Sequence, residues 1–312
     1  MFGRKKKSSE TLVNDEFHPS KDQIKRATRT RLIWALLSSL LLLISLVFII
    51  LVEIGDTSIS PIRNKIHFIS LDLSNIIPVR VPNAVLINSI AQTLGLHDFY
   101  TVGLWGFCEG YNGAGVTFCS KPKTLYWFNP VEILQNELLA GATIALSAQV
   151  DDILKLIRVV SQVMFGLFLT GACMSFIMMF IVPLSVYSRW ATFPITIFTF
   201  ITALLTTVGA VIATVLFIIM KNAITAATQI NIGATIGIEM FVFMWIAAGT
   251  SILAFIIQIG MCCCCASRRD VRTGRKRGSK KTYRGESSEG EPSSETTEKE
   301  PGRFSRLRGR RS

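Results

Sequence analysis

Four long apolar runs constrain this chain more than any other feature in it. The first, Leu32 to Val52, has 21 residues without a charge, held between Arg31 and Glu53. A helix rises about 1.5 Å per residue, so this run crosses the roughly 30 Å hydrocarbon core of a bilayer. The others extend from about Val159 to Val182, stopping at Pro183, from Thr192 to Met220, and from Met240 to Met261. A buried helix of a soluble protein explains one such run. It does not explain four with so few charges between Val159 and Met261. The first run exceeds the 7–15 residues typical of a signal-peptide core, and a 31-residue polar segment precedes it, so it reads as a retained anchor. The expected fold is a mainly α membrane protein, a bundle of four transmembrane helices over 32–52, 159–182, 192–220 and 240–261.

Lys and Arg placement orients the spans. The segment 1–31 holds nine Lys/Arg against four acids, and the tail 262–312 holds fifteen against seven. The long loop from Glu53 to Asp152 holds five against nine. Both termini are therefore expected in the cytoplasm, with loop 53–158 outside. The connection 183–191 is then cytoplasmic and the loop 221–239 external. An even number of spans agrees. The formal charge of +12 flanks the spans, so attraction to anionic inner-leaflet lipids accounts for it better than nucleic acid does.

The tail begins with Cys262, Cys263, Cys264 and Cys265 where the fourth run ends. Adjacent cysteines do not converge readily on one tetrahedral metal, and juxtamembrane thiols beside basic residues read as S-palmitoylation sites. The basic block Arg268, Arg269, Arg272, Arg275, Lys276 and Arg277 is suited to anionic lipid headgroups. An acidic segment rich in Ser, Thr, Pro and Gly follows, whose serines (Ser287, Ser288, Ser293, Ser294) are candidates for phosphorylation. With no apolar periodicity, the tail is expected to be disordered.

The external loop is too long to lack structure. Ile66–Ile69 and Ile76–Val85 are β-rich, and Phe99 to Cys108 reads as one strand. Glu109 to Gly115 has turn chemistry, so Val116–Cys119 can return as its partner and bring Cys108 and Cys119 into disulfide reach. A pair of unbonded thiols is the alternative. Asn129, Pro130 and Glu132 mark a helix start, and Ile133 to Leu156 reads as an amphipathic helix on the bilayer or against the strands. The loop is expected to form a small, disulfide-pinned, β-containing domain.

Gly103-Leu104-Trp105-x-x-Cys108, then Cys119, Trp127-Phe128-Asn129-Pro130, four spans and a basic tail together make the chain resemble the fungal cortical-patch/PalI family, four-span relatives of claudins. The loop has no Trp before Trp105, unlike claudins proper. The resemblance covers roughly 30–265. It implies a plasma-membrane protein of eisosome-associated compartments, linked to cell-wall integrity and endocytosis, with cortical membrane proteins as partners. The PalI-type alternative is an accessory that helps a seven-span receptor of ambient-pH sensing to reach the surface.

The residues themselves offer no enzymatic constellation. His18, His67 and His97 are isolated in sequence, no Gly-x-Ser-x-Gly occurs, and Asp151 and Asp152 diverge by about 100° on a helix. No cofactor is expected. Few ionisable residues fall within the runs, which gives a pump or carrier little support, and a channel subunit is the remote alternative. Gly209-x-x-x-Ala213, Ala203-x-x-x-Thr207 and Ala247-x-x-x-Ser251 are small-residue pairs suited to bundle packing or to a homo-oligomer.

Overall fold

The computed structural model of the protein describes residues 21–74, 97–129, 148–226, 232–264 and 271–272. After a short helix α1 (Lys21–Ala27), four long helices carry the apolar runs: α2 (Arg29–Ile54), α3 (Ala148–Ile181), α4 (Arg189–Ala226) and α5 (Ile238–Cys264). All four are long and apolar enough to cross a membrane. They close a bundle in which α2 packs on α3 and α5, and α4 packs on the same two. A 3-10 turn, Val182–Val186, with Pro183 near its start, joins α3 to α4.

Each helix is longer than its apolar run, because helical hydrogen bonding continues past the hydrocarbon edge. The α3 helix shows this most, starting at Ala148 and running without a break into the span. The last part of the expected amphipathic helix is thus the first turns of α3. Its start at Pro130 and the stretch Ile76–Val85 lie outside the described residues.

Inside the bundle the usual rule for soluble helices is reversed. On α2 the buried positions are Ala35, Ser38, Leu42, Ser45, Leu46, Ile49 and Val52, mostly three or four residues apart. Leu36, Leu40 and Val47 point outward into the space a lipid would fill. The inner face is smaller and more polar than the outer one, since lipid already solvates apolar groups and close packing must drive association. Ser45 Oγ donates to the Ala247 carbonyl (2.9 Å), and Ser38 Oγ to that of Ala254 (3.2 Å). Gln258 donates in turn to Ser38, and the Thr206 and Ser251 hydroxyls share a hydrogen bond of 2.9 Å. Ala203, Ala213, Ala247 and Ser251, from the small-residue pairs, are buried within this one chain.

Arg31 belongs to the same inner face. Its guanidinium donates to the Ser185 carbonyl (2.7 Å) and to the Thr192 hydroxyl. A residue that bounds the first run in sequence thus fastens α2 to the α3–α4 connection.

At the other end of the bundle stands one antiparallel sheet, in the order β4-β3-β2-β1-β5. Its strands are β1 (Ile69–Asp72), β2 (Phe99–Val102), β3 (Phe107–Tyr111), β4 (Gly115–Cys119) and β5 (Gly233–Ile236). Two features differ from the sequence expectation. The single strand expected over 99–108 is two, because the chain reverses at Gly103–Gly106, closed by the Gly103 N–H on the Gly106 carbonyl (2.9 Å). The second is β5. It comes from the connection between α4 and α5, which the sequence marks only as a loop, and pairs Thr235 with Ser70 on the free edge of β1. Both connections on this side therefore build one sheet. Phe68, fully buried, stacks on Phe217 of α4 (4.5 Å) and meets Phe241 of α5 edge-on, which seats the sheet on the helices.

Candidate functional site

The Trp-x-x-Cys…Cys residues converge where the sheet meets the bundle. Trp105 sits in the β2–β3 turn, and its indole N–H donates to Glu53 Oε2 (2.8 Å) near the end of α2. Its ring lies edge-on to Phe165 of α3 (4.7 Å). One side chain therefore links the sheet to two spans. Leu104 beside it is buried. Gly103 is required by close approach: a Cβ there would stand 2.9 Å from both Asp56 Cβ and the Gly55 carbonyl.

Cys108 and Cys119 are directly opposed in the β3–β4 register and form a disulfide, with their Cα atoms 4.0 Å apart. Asn64 lies against it, its Nδ2 3.5 Å from the Cys108 sulfur. The same amide donates to Asp56 Oδ1 (3.2 Å), which also accepts from the Thr101 hydroxyl (3.0 Å). Asp56 is buried, at 1 % exposure, and adopts φ +53°, a conformation that Asp tolerates better than most residues. Sequence reasoning missed Asp56, Asn64 and Glu53 as parts of this site. Their partners lie 8 to 52 residues away, and no local pattern marks them.

Trp127 and Phe128 extend the contact. Phe128 is buried, and the Arg158 guanidinium of α3 lies 5.8 Å from the centre of the Trp127 ring. Asn129 is the last described residue here, and Pro130 lies beyond it. His67 and His97, isolated in sequence, are both partly buried: His67 Nδ1 contacts the Asn64 carbonyl, and the His97 ring packs against Tyr111 at a tilt. Cys262 and Cys263 occupy the last turn of α5, which also includes Cys264. Arg272 is exposed. Cys265, Arg268, Arg269, Arg275, Lys276 and Arg277 lie outside the described residues.

Burial holds the Asp56 carboxyl up at about 6, with the Asn64 and Thr101 hydrogen bonds working against it. The native state then binds a proton more tightly than the unfolded chain. This group's stabilisation is complete below the ordinary carboxylate range and is lost as pH rises toward 6, a change of about 3 kcal/mol. His67 acts in the opposite sense. Burial lowers its pKa, so it favours the fold above the ordinary His value and opposes it below. Replacing Asp56 with Asn should therefore isolate the carboxyl. Measured from pH 4 to 7, the melting temperature of the variant should rise relative to that of the unaltered protein. Parallel curves would refute this assignment.

Fold and site together define a four-span membrane protein whose first long connection, completed by a strand from the α4–α5 connection, folds as a disulfide-pinned sheet on the bundle. More narrowly, the chain belongs to the SUR7/PalI family, which it matches over residues 34–257, from the first span through most of the last and including the whole motif. It is also similar to the SUR7 family protein pun1 of Schizosaccharomyces pombe, with 25% identity over 169 residues. That alignment covers 52% of this chain and 59% of the relative, so the chain spans somewhat more than half of that protein's length.

Proposed function

We propose that this protein is a non-enzymatic organiser of the plasma membrane at the fungal cell cortex, with the sheet outside and both termini in the cytoplasm. The observation that carries the reading is how the motif is used. Trp105 ties the sheet to Glu53 of α2, Asp56 ties the turn after α2 to Asn64 and Thr101, and the disulfide pins β3 to β4 beside them. Such a joint holds the sheet at a fixed orientation to the spans, which suits lateral assembly of many copies. The charge asymmetry of the connections supports the orientation, and a disulfide is at home in an oxidising compartment. In this reading Cys262 to Cys265 carry acyl chains, and the basic block after them holds anionic lipid.

Photobleaching of a C-terminally tagged copy in living cells tests it. Recovery should be slow and confined to cortical patches. A uniform signal that recovers quickly would contradict it. The PalI side of the family favours a second reading, an accessory to a seven-span receptor of ambient pH. That reading requires deletion to abolish responses to alkaline medium and to displace the receptor from the surface.

A further inference from the structure

The segment just past α2 exposes both apolar and basic side chains. It is a closed loop. The Asp56 N–H donates to the Arg63 carbonyl (3.0 Å), the Asn64 N–H to that of Ser60 (3.0 Å), and the Ser60 N–H to Asn64 Oδ1 (2.7 Å). Asn64 also holds the loop against the disulfide. Yet Ile59 is 61% exposed and Ile62 75%, and Arg63 and Lys65 are exposed beside them. A pinned loop with outward isoleucines has ordered its backbone without burying its apolar groups. Outside a membrane that arrangement gains nothing from the hydrophobic effect.

Position supplies the missing partner. Helix α2 has 26 residues and is therefore about 39 Å long, close to the 40–45 Å of a bilayer with its headgroups. Its last residue, Ile54, precedes the loop's closing point, Asp56, by two positions. Six residues out and back reach no more than about 10 Å from that point. Ile59 and Ile62 therefore stay within reach of the headgroup layer that α2 has just crossed. Charge agrees with this placement. Neither 57–65 nor 118–126 contains an acid, whereas Arg63, Lys65, Lys121 and Lys123 are all exposed.

We propose that loop 57–65 is an interfacial anchor, which seats Ile59 and Ile62 among the lipids of the sheet-side leaflet and sets Arg63 and Lys65 on their phosphates. Together with Trp105 on Glu53, it fixes the sheet's tilt to the bilayer itself as well as to the bundle. The occupant is the lipid surface, because the loop is continuous with a helix that lipid already surrounds. Apolar side chains at the acyl boundary with cations at the phosphates form the usual interfacial arrangement.

The test uses the full chain in nanodiscs of phosphatidylcholine and phosphatidylglycerol, with every cysteine except Cys108 and Cys119 replaced by Ala. A fluorophore is attached at Ile59→Cys, Ile62→Cys or, as a control in the distal β3–β4 turn, Ala114→Cys. Brominated acyl chains should quench the first two about twofold and leave the third unchanged. The pair Arg63→Glu and Lys65→Glu should weaken the quenching at Ile62→Cys while Cys108–Cys119 stays oxidised, which reports an intact head. Equal and negligible quenching at all three sites would overturn the proposal. So would efficient cross-linking of Ile62→Cys between two copies, which would assign the loop to a protein partner.

Discussion

Replacing Cys108 or Cys119 with Ser should keep the protein from reaching the cell surface. The bond closes a short loop, its ends 11 positions apart in sequence, and the chain-entropy estimate for such a loop is roughly 3 kcal/mol. Loss of a native disulfide from a small domain commonly costs about 2–5 kcal/mol. The consequence here is wider than that figure, because Cys108 is fully buried and Asn64 reaches the sulfurs with the same amide that holds Asp56. Removing the bond loosens the β3–β4 edge and the turn that follows α2 together. Surface biotinylation of either variant should fall several-fold, with the missing protein held in the secretory pathway. Delivery of both variants at normal levels would show that the pair is dispensable.

The second large effect is expected at Gly237, where β5 passes into α5. The Gly237 N–H donates to the Phe68 carbonyl (3.2 Å), and a Cβ at this position would collide with the His67 carbonyl. Both groups are backbone, so neither side can yield by changing a rotamer. Gly237→Val should therefore push β5 off β1 and uncover Phe68 and the stacked Phe217 beneath. Overpacking of this kind costs about 1–3 kcal/mol or more, which in a domain of this size lowers the melting temperature by several degrees. Gly249→Ala is the matched control. A Cβ there meets nothing within 4 Å, and Ala is the better helix former, so its melting temperature should hold or rise. Similar melting temperatures for the two variants would mean that β5 contributes little.

The parts of the fold legible in sequence are those whose signal is local. A run such as Leu32–Val52 excludes charge because lipid surrounds it, and that exclusion can be read without a partner. Cys108 and Cys119 were legible because strand, turn and strand follow in order. The parts that were missed depend on distant residues. Nothing near Gly233-Ala234-Thr235-Ile236 shows that its four residues complete a sheet begun more than 160 positions earlier. Glu53 reads as the end of a span until Trp105 is seen to donate to it. Arg31 reads as a flanking charge, although the α3–α4 connection buries it. The turn at Gly103–Gly106 was hidden for another reason: aromatic and β-branched residues on both sides made one long strand the simpler reading.

Both sheet-side connections form one head joined to the bundle, and the β1–β5 pairing puts this to the test. Ser70 and Thr235 are register partners, partly or fully exposed, so Ser70→Cys with Thr235→Cys should oxidise spontaneously in cells. After proteolysis within the α3–α4 connection, the two halves should stay linked until a reductant is added. Ser70→Cys with Ile236→Cys puts the two side chains on opposite faces and should not link. A link should form in the first pair alone. Failure of that pair to link, in protein that reaches the membrane with Cys108–Cys119 intact, would contradict it.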